Sequence, residues 1–148
     1  MQPKDLHMVW SAPDNTRLTA KQFSFRLPVH VAAKLAAIGE MYPGKSRTQI
    51  VGDLLATAID QWASELPSEK GAQTGVMHPP NEIPFKVFEE VGPIFRYQAL
   101  TNKHFVELER GLGNESAERF FKAELVVCEE LTSEEREEER FRPWGEER

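Results

Sequence analysis

Three side chains near the start of the chain have the chemistry to read a polar surface: Gln22, Ser24 and Arg26, spaced two residues apart. They are an amide, a hydroxyl and a guanidinium. The amide and the guanidinium can each bond two groups on one base edge in a DNA major groove. Further along, Lys45-Ser46-Arg47-Thr48 sets two cations beside two hydroxyls. At the start of a helix, those cations and the free backbone amides would together hold a phosphate. Other chemistry is thinly supplied. His7, His30, His78 and His104 are scattered, with no pair at the i, i+4 spacing of metal ligands. Gly111-Leu112-Gly113 has no Lys-Ser/Thr after it and so lacks the context of a phosphate-cradling loop. Cys128 falls on an apolar helical stripe, which predicts a buried structural thiol rather than a nucleophile. The pattern nominates no catalytic residue, no metal site and no cofactor, and the expectation is a binding protein rather than an enzyme.

The elements that would position these groups can be read from period and punctuation. In Gln22–Pro28 the apolar residues Phe23, Phe25 and Leu27 alternate with the polar three, the mark of a strand with one buried face. Pro28 closes it, having no amide hydrogen for a ladder, yet proline fits the first turn of a helix. A lone strand leaves its edges unpaired, and the most economical partner is the same strand of a second copy. Val29–Tyr42 then places Val31, Leu35, Ile38 and Tyr42 on one helical stripe, with alanines between that favour helix. Pro43-Gly44 stops it. Ser46 caps a second helix with Gln49 three residues on, the capping-box spacing. Its stripe (Ile50, Leu54, Leu55, Ala58, Ile59, Trp62) runs to about Glu65, and Pro67 ends it. One strand and two short helices cannot bury their own apolar residues, so Phe23, Phe25, Leu27, Ile50, Leu54 and Trp62 are expected to form the core of a dimer.

Charge supports a division of the chain. The 148 residues carry a formal net charge of −6, which argues against a nonspecific nucleic-acid coat. Within residues 17–47, however, six Lys/Arg face Glu40 alone, the footprint of one face that meets phosphate. From Glu129 onward nine Glu stand against four Arg. The expected organisation is a flexible arm over residues 1–19, a strand–helix–helix domain over 20–66, a Pro/Gly-rich linker over 67–84, a C-terminal domain over 85–132 and an acidic tail over 133–148. Trp10, flanked by Met8 and Val9, is the one sticky point of the arm. In the C-terminal part Leu100–Leu112 suits a helix capped by Thr101 and ended by Gly111 or Gly113. Strands at Ile94–Ala99 and His104–Leu108 remain open as an alternative. Asn114 is expected to cap a further helix reaching Leu131, and Arg142-Pro143-Trp144 is a candidate docking element. The fold class expected is therefore mostly α. A single cysteine allows no intrachain disulfide, and no run approaches the ~18 apolar residues of a membrane span. The first residues, with Lys4, Asp5 and Asp14, lack the apolar core of a signal peptide. A cytoplasmic protein with no membrane contact is expected.

Gln22-Phe-Ser-Phe-Arg-Leu-Pro28 followed by Gly44-Lys-Ser-Arg-Thr-Gln-Ile50, with an Ala/Leu-rich helix between, resembles the ribbon–helix–helix family, the class of the Arc and MetJ repressors. The resemblance covers residues 20–65. It implies two intertwined chains whose strands pair antiparallel and enter the major groove of double-stranded DNA. By position, Gln22, Ser24 and Arg26 would face bases, and Lys45, Ser46, Arg47 and Thr48 would meet phosphate. Ser24 is shorter than the amides common at its position in that family, which points to a weak or water-mediated base contact. The function implied is that of a transcriptional regulator acting as a homodimer, with higher oligomers on DNA. The alternative is an antitoxin or scaffold whose acidic part, residues 85–148, binds a protein partner.

Overall fold

The computed structural model describes residues 2–10 and 17–141. Part of the expected N-terminal arm, the end of the acidic tail and the Arg142-Pro143-Trp144 motif lie outside the described residues. The chain divides into two compact units. The first holds the described residues up to Leu66 together with His104–Glu118; the second holds Pro67–Lys103 and the described residues from Arg119 on.

In the first unit a short 3-10 turn, Pro3–Asp5, leads into α1 (Leu6–Val9), and two longer helices follow, α2 (Val29–Met41) and α3 (Arg47–Ser64). Pro28 precedes α2 and its carbonyl accepts the Ala32 amide at 3.0 Å. Pro43-Gly44 separates the two helices, and Ser46 caps α3, its hydroxyl accepting the Gln49 amide at 3.1 Å. That bond satisfies one of the four amides a helix start leaves unpaired. The core of this unit is Leu6, Trp10 and Ile50, with Leu35, Ile38, Tyr42 and Leu54 packed against it. Residues 2–10, in the stretch expected as a flexible arm, thus supply two of its three buried side chains. Thr57 is buried on α3 without penalty because its hydroxyl donates back to the carbonyls of Asp53 and Leu54 at 3.1 and 2.9 Å.

The second unit is built on an antiparallel sheet in the order β1-β2-β3: β1 (Lys70–Met77), β2 (Phe85–Glu90) and β3 (Val126–Glu130). In β1–β2, Lys70 lies opposite Glu90 and Met77 opposite Phe85, with bulges between; in β2–β3, Phe85 lies opposite Glu130 and Glu89 opposite Val126. Leu131 and Phe88 are buried, and Lys70 places its ammonium 4.6 Å from the centre of the Phe88 ring. After β2, Gly92-Pro93 opens α4 (Pro93–Gly111), proline occupying the first turn where its missing N–H costs nothing. Gly113 ends it at φ 91, a left-handed turn that glycine adopts freely. Last comes α5 (Ser133–Arg140), capped by Thr132, with Glu134 and Glu135 in its first turn where the helix dipole favours acid.

This architecture corrects the expected one. The fold is not mostly α with one strand and two helices followed by a linker and a helical C-terminal domain. The described residues form four helices of eight residues or more and a three-stranded antiparallel sheet. Three differences account for it. Gln22–Pro28 is without regular secondary structure, because a strand needs a ladder and no described strand pairs with it. The stretch expected as a linker holds β1. The helix expected from Asn114 to Leu131 is absent: the Asn102 side chain holds both the N–H and the carbonyl of Phe121, at 2.7 and 3.1 Å, and Val126–Glu130 bonds β2 instead. Nor does Thr101 cap a helix. It lies inside α4, its hydroxyl donating to the Tyr97 carbonyl at 2.8 Å.

Candidate functional site

Gln22, Ser24 and Arg26 are all exposed, as is every residue from Arg17 to Lys34. The apolar residues that alternate with them are exposed too: Phe23 by 54%, Phe25 by 74% and Leu27 by 46%. Lys21 sits over the Phe23 ring, 5.3 Å from its centre. The six residues expected as a common core therefore separate into two groups. Ile50, 1% exposed, and Leu54 pack within the first unit, whereas Phe23, Phe25, Leu27 and Trp62 (58% exposed) face outward. Leu55 and Ile59, four residues apart on α3, are exposed beside Trp62.

At the start of α3, Ser46, Arg47 and Thr48 are exposed and Lys45 half-buried. With Ser46 as cap bonded to Gln49, the remaining first-turn amides and two cations share one end of the helix. Such an end carries partial positive charge and attracts an anion. Arg17, one of the basic residues counted in the sequence, is committed elsewhere: its guanidinium pairs with Glu109 at 3.2 Å.

Sequence reasoning missed the part that Leu6 and Trp10 play in the core of this unit. Trp10 is buried, its ring set edge-on to Tyr42 with centroids 5.1 Å apart, and its indole N–H donates to the Asp53 carboxylate at 2.7 Å. His7 Nδ1 meets the Tyr42 hydroxyl. The sole signal in the sequence was an isolated tryptophan with Leu6 four residues before it, at helical spacing.

In the second unit Glu90 is a buried carboxylate that ties the end of β2 to the segment before β1. It accepts the Ser68 hydroxyl, the Glu69 amide at 2.8 Å and the Gly92 amide at 3.1 Å. The Ser68 bond first, then that of Glu69 and more weakly that of Gly92, hold its pKa below the ordinary carboxylate value, while burial pushes the other way. This is a structural pin. Cys128, expected to be buried, is exposed on β3 instead. Among the described residues no three His, Cys, Asp or Glu side chains converge as a metal site requires. No described helix is long and apolar enough to cross a membrane. Comparison of the chain with protein-family models, curated proteins and solved structures gives no match.

Proposed function

We propose that the chain binds double-stranded DNA in a sequence-specific way as a homodimer and works in the cytoplasm as a transcriptional regulator. In this reading Gln22–Pro28 pairs antiparallel with the same segment of a second copy, and the two-stranded ribbon enters the major groove. One observation carries the reading: Phe23, Phe25 and Leu27 stand in solvent on alternate residues, with base-pairing side chain types on the residues between. A run of large exposed apolar groups marks a surface that awaits a partner. Pairing would bury the apolar set and leave Gln22, Ser24 and Arg26 on the opposite face. The resemblance of Gln22–Pro28 and Gly44–Ile50 to the ribbon–helix–helix family supports the same assignment, as does the exposed Arg47 at the start of α3, which suits a phosphate. Arg26 then reads a guanine edge, and Lys45 to Thr48 anchor the backbone. The role is binding and not catalysis.

A second reading takes the chain as an antitoxin or scaffold that engages a protein through residues 85–148. It draws on Val91 and Phe95, which are exposed, and on the Glu-rich surface of α5. The test that separates the two is selection of bound sites from random DNA by the full-length protein, with sedimentation of the free protein beside it. A dimer that enriches a two-fold repeated motif supports the first reading. Failure to enrich any sequence overturns it and favours the second.

A further inference from the structure

The second unit carries a half-open cavity of about 700 Å³ at its surface, within the range that admits a drug-sized molecule. Its walls come from the sheet, which contributes Glu89, from the first turns of α4, which contribute Phe95 and Gln98, and from the segment leading into β3, which contributes Arg119, Phe121 and Glu124. The last wall is fixed in place. Asn102 bonds the backbone of Phe121 twice, at 2.7 and 3.1 Å, and the Phe121 ring lies against Tyr97 with centroids 5.9 Å apart. A preformed wall spares a ligand the ordering cost that a mobile one would impose.

The charges on this cavity decide its chemistry. Glu89 and Glu124 are exposed and have no cation or hydrogen-bond donor among the described residues. Glu90, also on the wall, is already held by three donors. Against these three carboxylates stands Arg119, and its guanidinium donates to the Lys122 carbonyl at 2.9 Å. The cavity is thus net acidic over a floor with two phenylalanine rings. An anion would meet that field unfavourably. A neutral apolar body would strip water from two unpaired carboxylates and return nothing. A cation with an apolar or aromatic body satisfies both parts: its charge pairs with Glu89 and Glu124, and its body covers Phe95 and Phe121, whose ring faces also attract positive charge.

We propose that this cavity binds an organic cation of that kind, a protonated amine or quaternary centre on an apolar frame. The inference rests on the second unit alone and stands whether or not the first unit binds DNA. Calorimetric titration of the full-length protein with tetraphenylphosphonium tests it, with naphthalene-2-sulfonate as an apolar anion and spermidine as a cation that lacks an apolar body. The expected result is one tetraphenylphosphonium site per chain, with both comparison compounds weaker. Glu89→Gln/Glu124→Gln should weaken tetraphenylphosphonium by roughly tenfold for each carboxylate, the scale of a close charge pair at a part-exposed site. Arg119→Gln should tighten it, since a like charge is removed. Circular dichroism accompanies each variant, and the Arg119→Gln arm keeps the test decisive if the double variant fails to fold. No binding by the full-length protein would overturn the proposal, as would equal affinity for the sulfonate. So would a folded double variant that binds as tightly as the parent, or an Arg119→Gln protein that binds no tighter.

Discussion

Replacing Trp10 is the sharpest test of how the first unit is held together. The side chain is 7% exposed, flanked by Leu6 and Ile50 in the core, and its indole N–H meets Asp53 at 2.7 Å. Trp10→Ala removes a large buried ring, a change that costs about 3–5 kcal/mol in well-packed cores. It also leaves the Asp53 carboxylate without its donor. Trp10→Phe keeps most of the ring and its edge-on contact with Tyr42 but loses the bond to a charged acceptor, worth about 1.5–3 kcal/mol. The two losses overlap and are not to be added. The expected order is parent, then Trp10→Phe lower by about 1–3 kcal/mol, then Trp10→Ala lower by about 3–5 kcal/mol. Urea unfolding followed by far-ultraviolet circular dichroism measures it. The transition that belongs to α2 and α3 should shift while that of the second unit stays. Trp10→Phe combined with Asp53→Ala, taken as a double-mutant cycle, should show a coupling of the size of that one hydrogen bond. A Trp10→Ala protein within about 0.5 kcal/mol of the parent, the scale of an ordinary surface substitution, would mean that residues 2–10 do not close this core.

Four further outcomes follow from the geometry and from the proposed function. Glu90 has a folded pKa below its reference value of 4.5, so its contribution to stability is full above that value and is lost as pH falls through the folded pKa. Glu90→Gln should flatten the acid limb of a stability–pH profile below about pH 4.5, and an unchanged limb would show that the pin does not matter. Gly92→Ala should destabilise the second unit by at least about 1–3 kcal/mol, because a Cβ there would lie 2.7 Å from the Glu69 nitrogen and 2.9 Å from the Pro67 carbonyl, both backbone. A melting temperature equal to that of the parent would refute the close approach. In the DNA-binding reading, Arg26→Ala should cost about 1–3 kcal/mol on the preferred site and relax one base pair per half-site. Arg47→Ala should instead weaken preferred and random DNA alike and lower the salt dependence by about one phosphate per subunit. A folded Arg26→Ala protein that keeps the parent's ratio of specific to nonspecific affinity would refute base reading by that side chain.

What the sequence made legible is what local interactions decide. α2 and α3 are written in their stripes and stops: Pro43-Gly44 between them, and Ser46 with Gln49 at the start of the second. The sheet is written in pairings across long separations, and its local marks point elsewhere. Gly71, which reads as linker punctuation, sits where a Cβ would come within 2.7 Å of the Val91 side chain. It is there for close approach of backbone to neighbour. β3 carries apolar residues at a spacing that also suits a helix, and its ladder partner β2 begins some forty residues earlier. The adjacent β-branched pair Val126-Val127 favours a strand, but only Phe85–Glu90 lying alongside decides the matter.

The segment Gln22–Pro28 is the opposite case, where a clear local pattern finds no strand partner among the described residues of its own chain. Alternation of period two specifies which side chains share a face, but it cannot make a ladder, since every bond of a ladder needs a second strand. In the second unit β1 and β3 each pair with β2, and neither pairs with residues 22–28. The first unit closes its core with Leu6 and Trp10 instead of with Phe23, Phe25 and Leu27. That substitution has a consequence for any dimer: Ile50 and Leu54 are already covered, so the apolar surface left to bury includes the 22–28 segment and the outward face of α3 at Leu55, Ile59 and Trp62. A dimer formed through that surface keeps the Trp10–Asp53 bond. One that repacks Ile50 against a second copy must break it, and indole fluorescence would report the difference in a protein whose Trp62 and Trp144 are replaced by Phe, which leaves Trp10 as the sole indole.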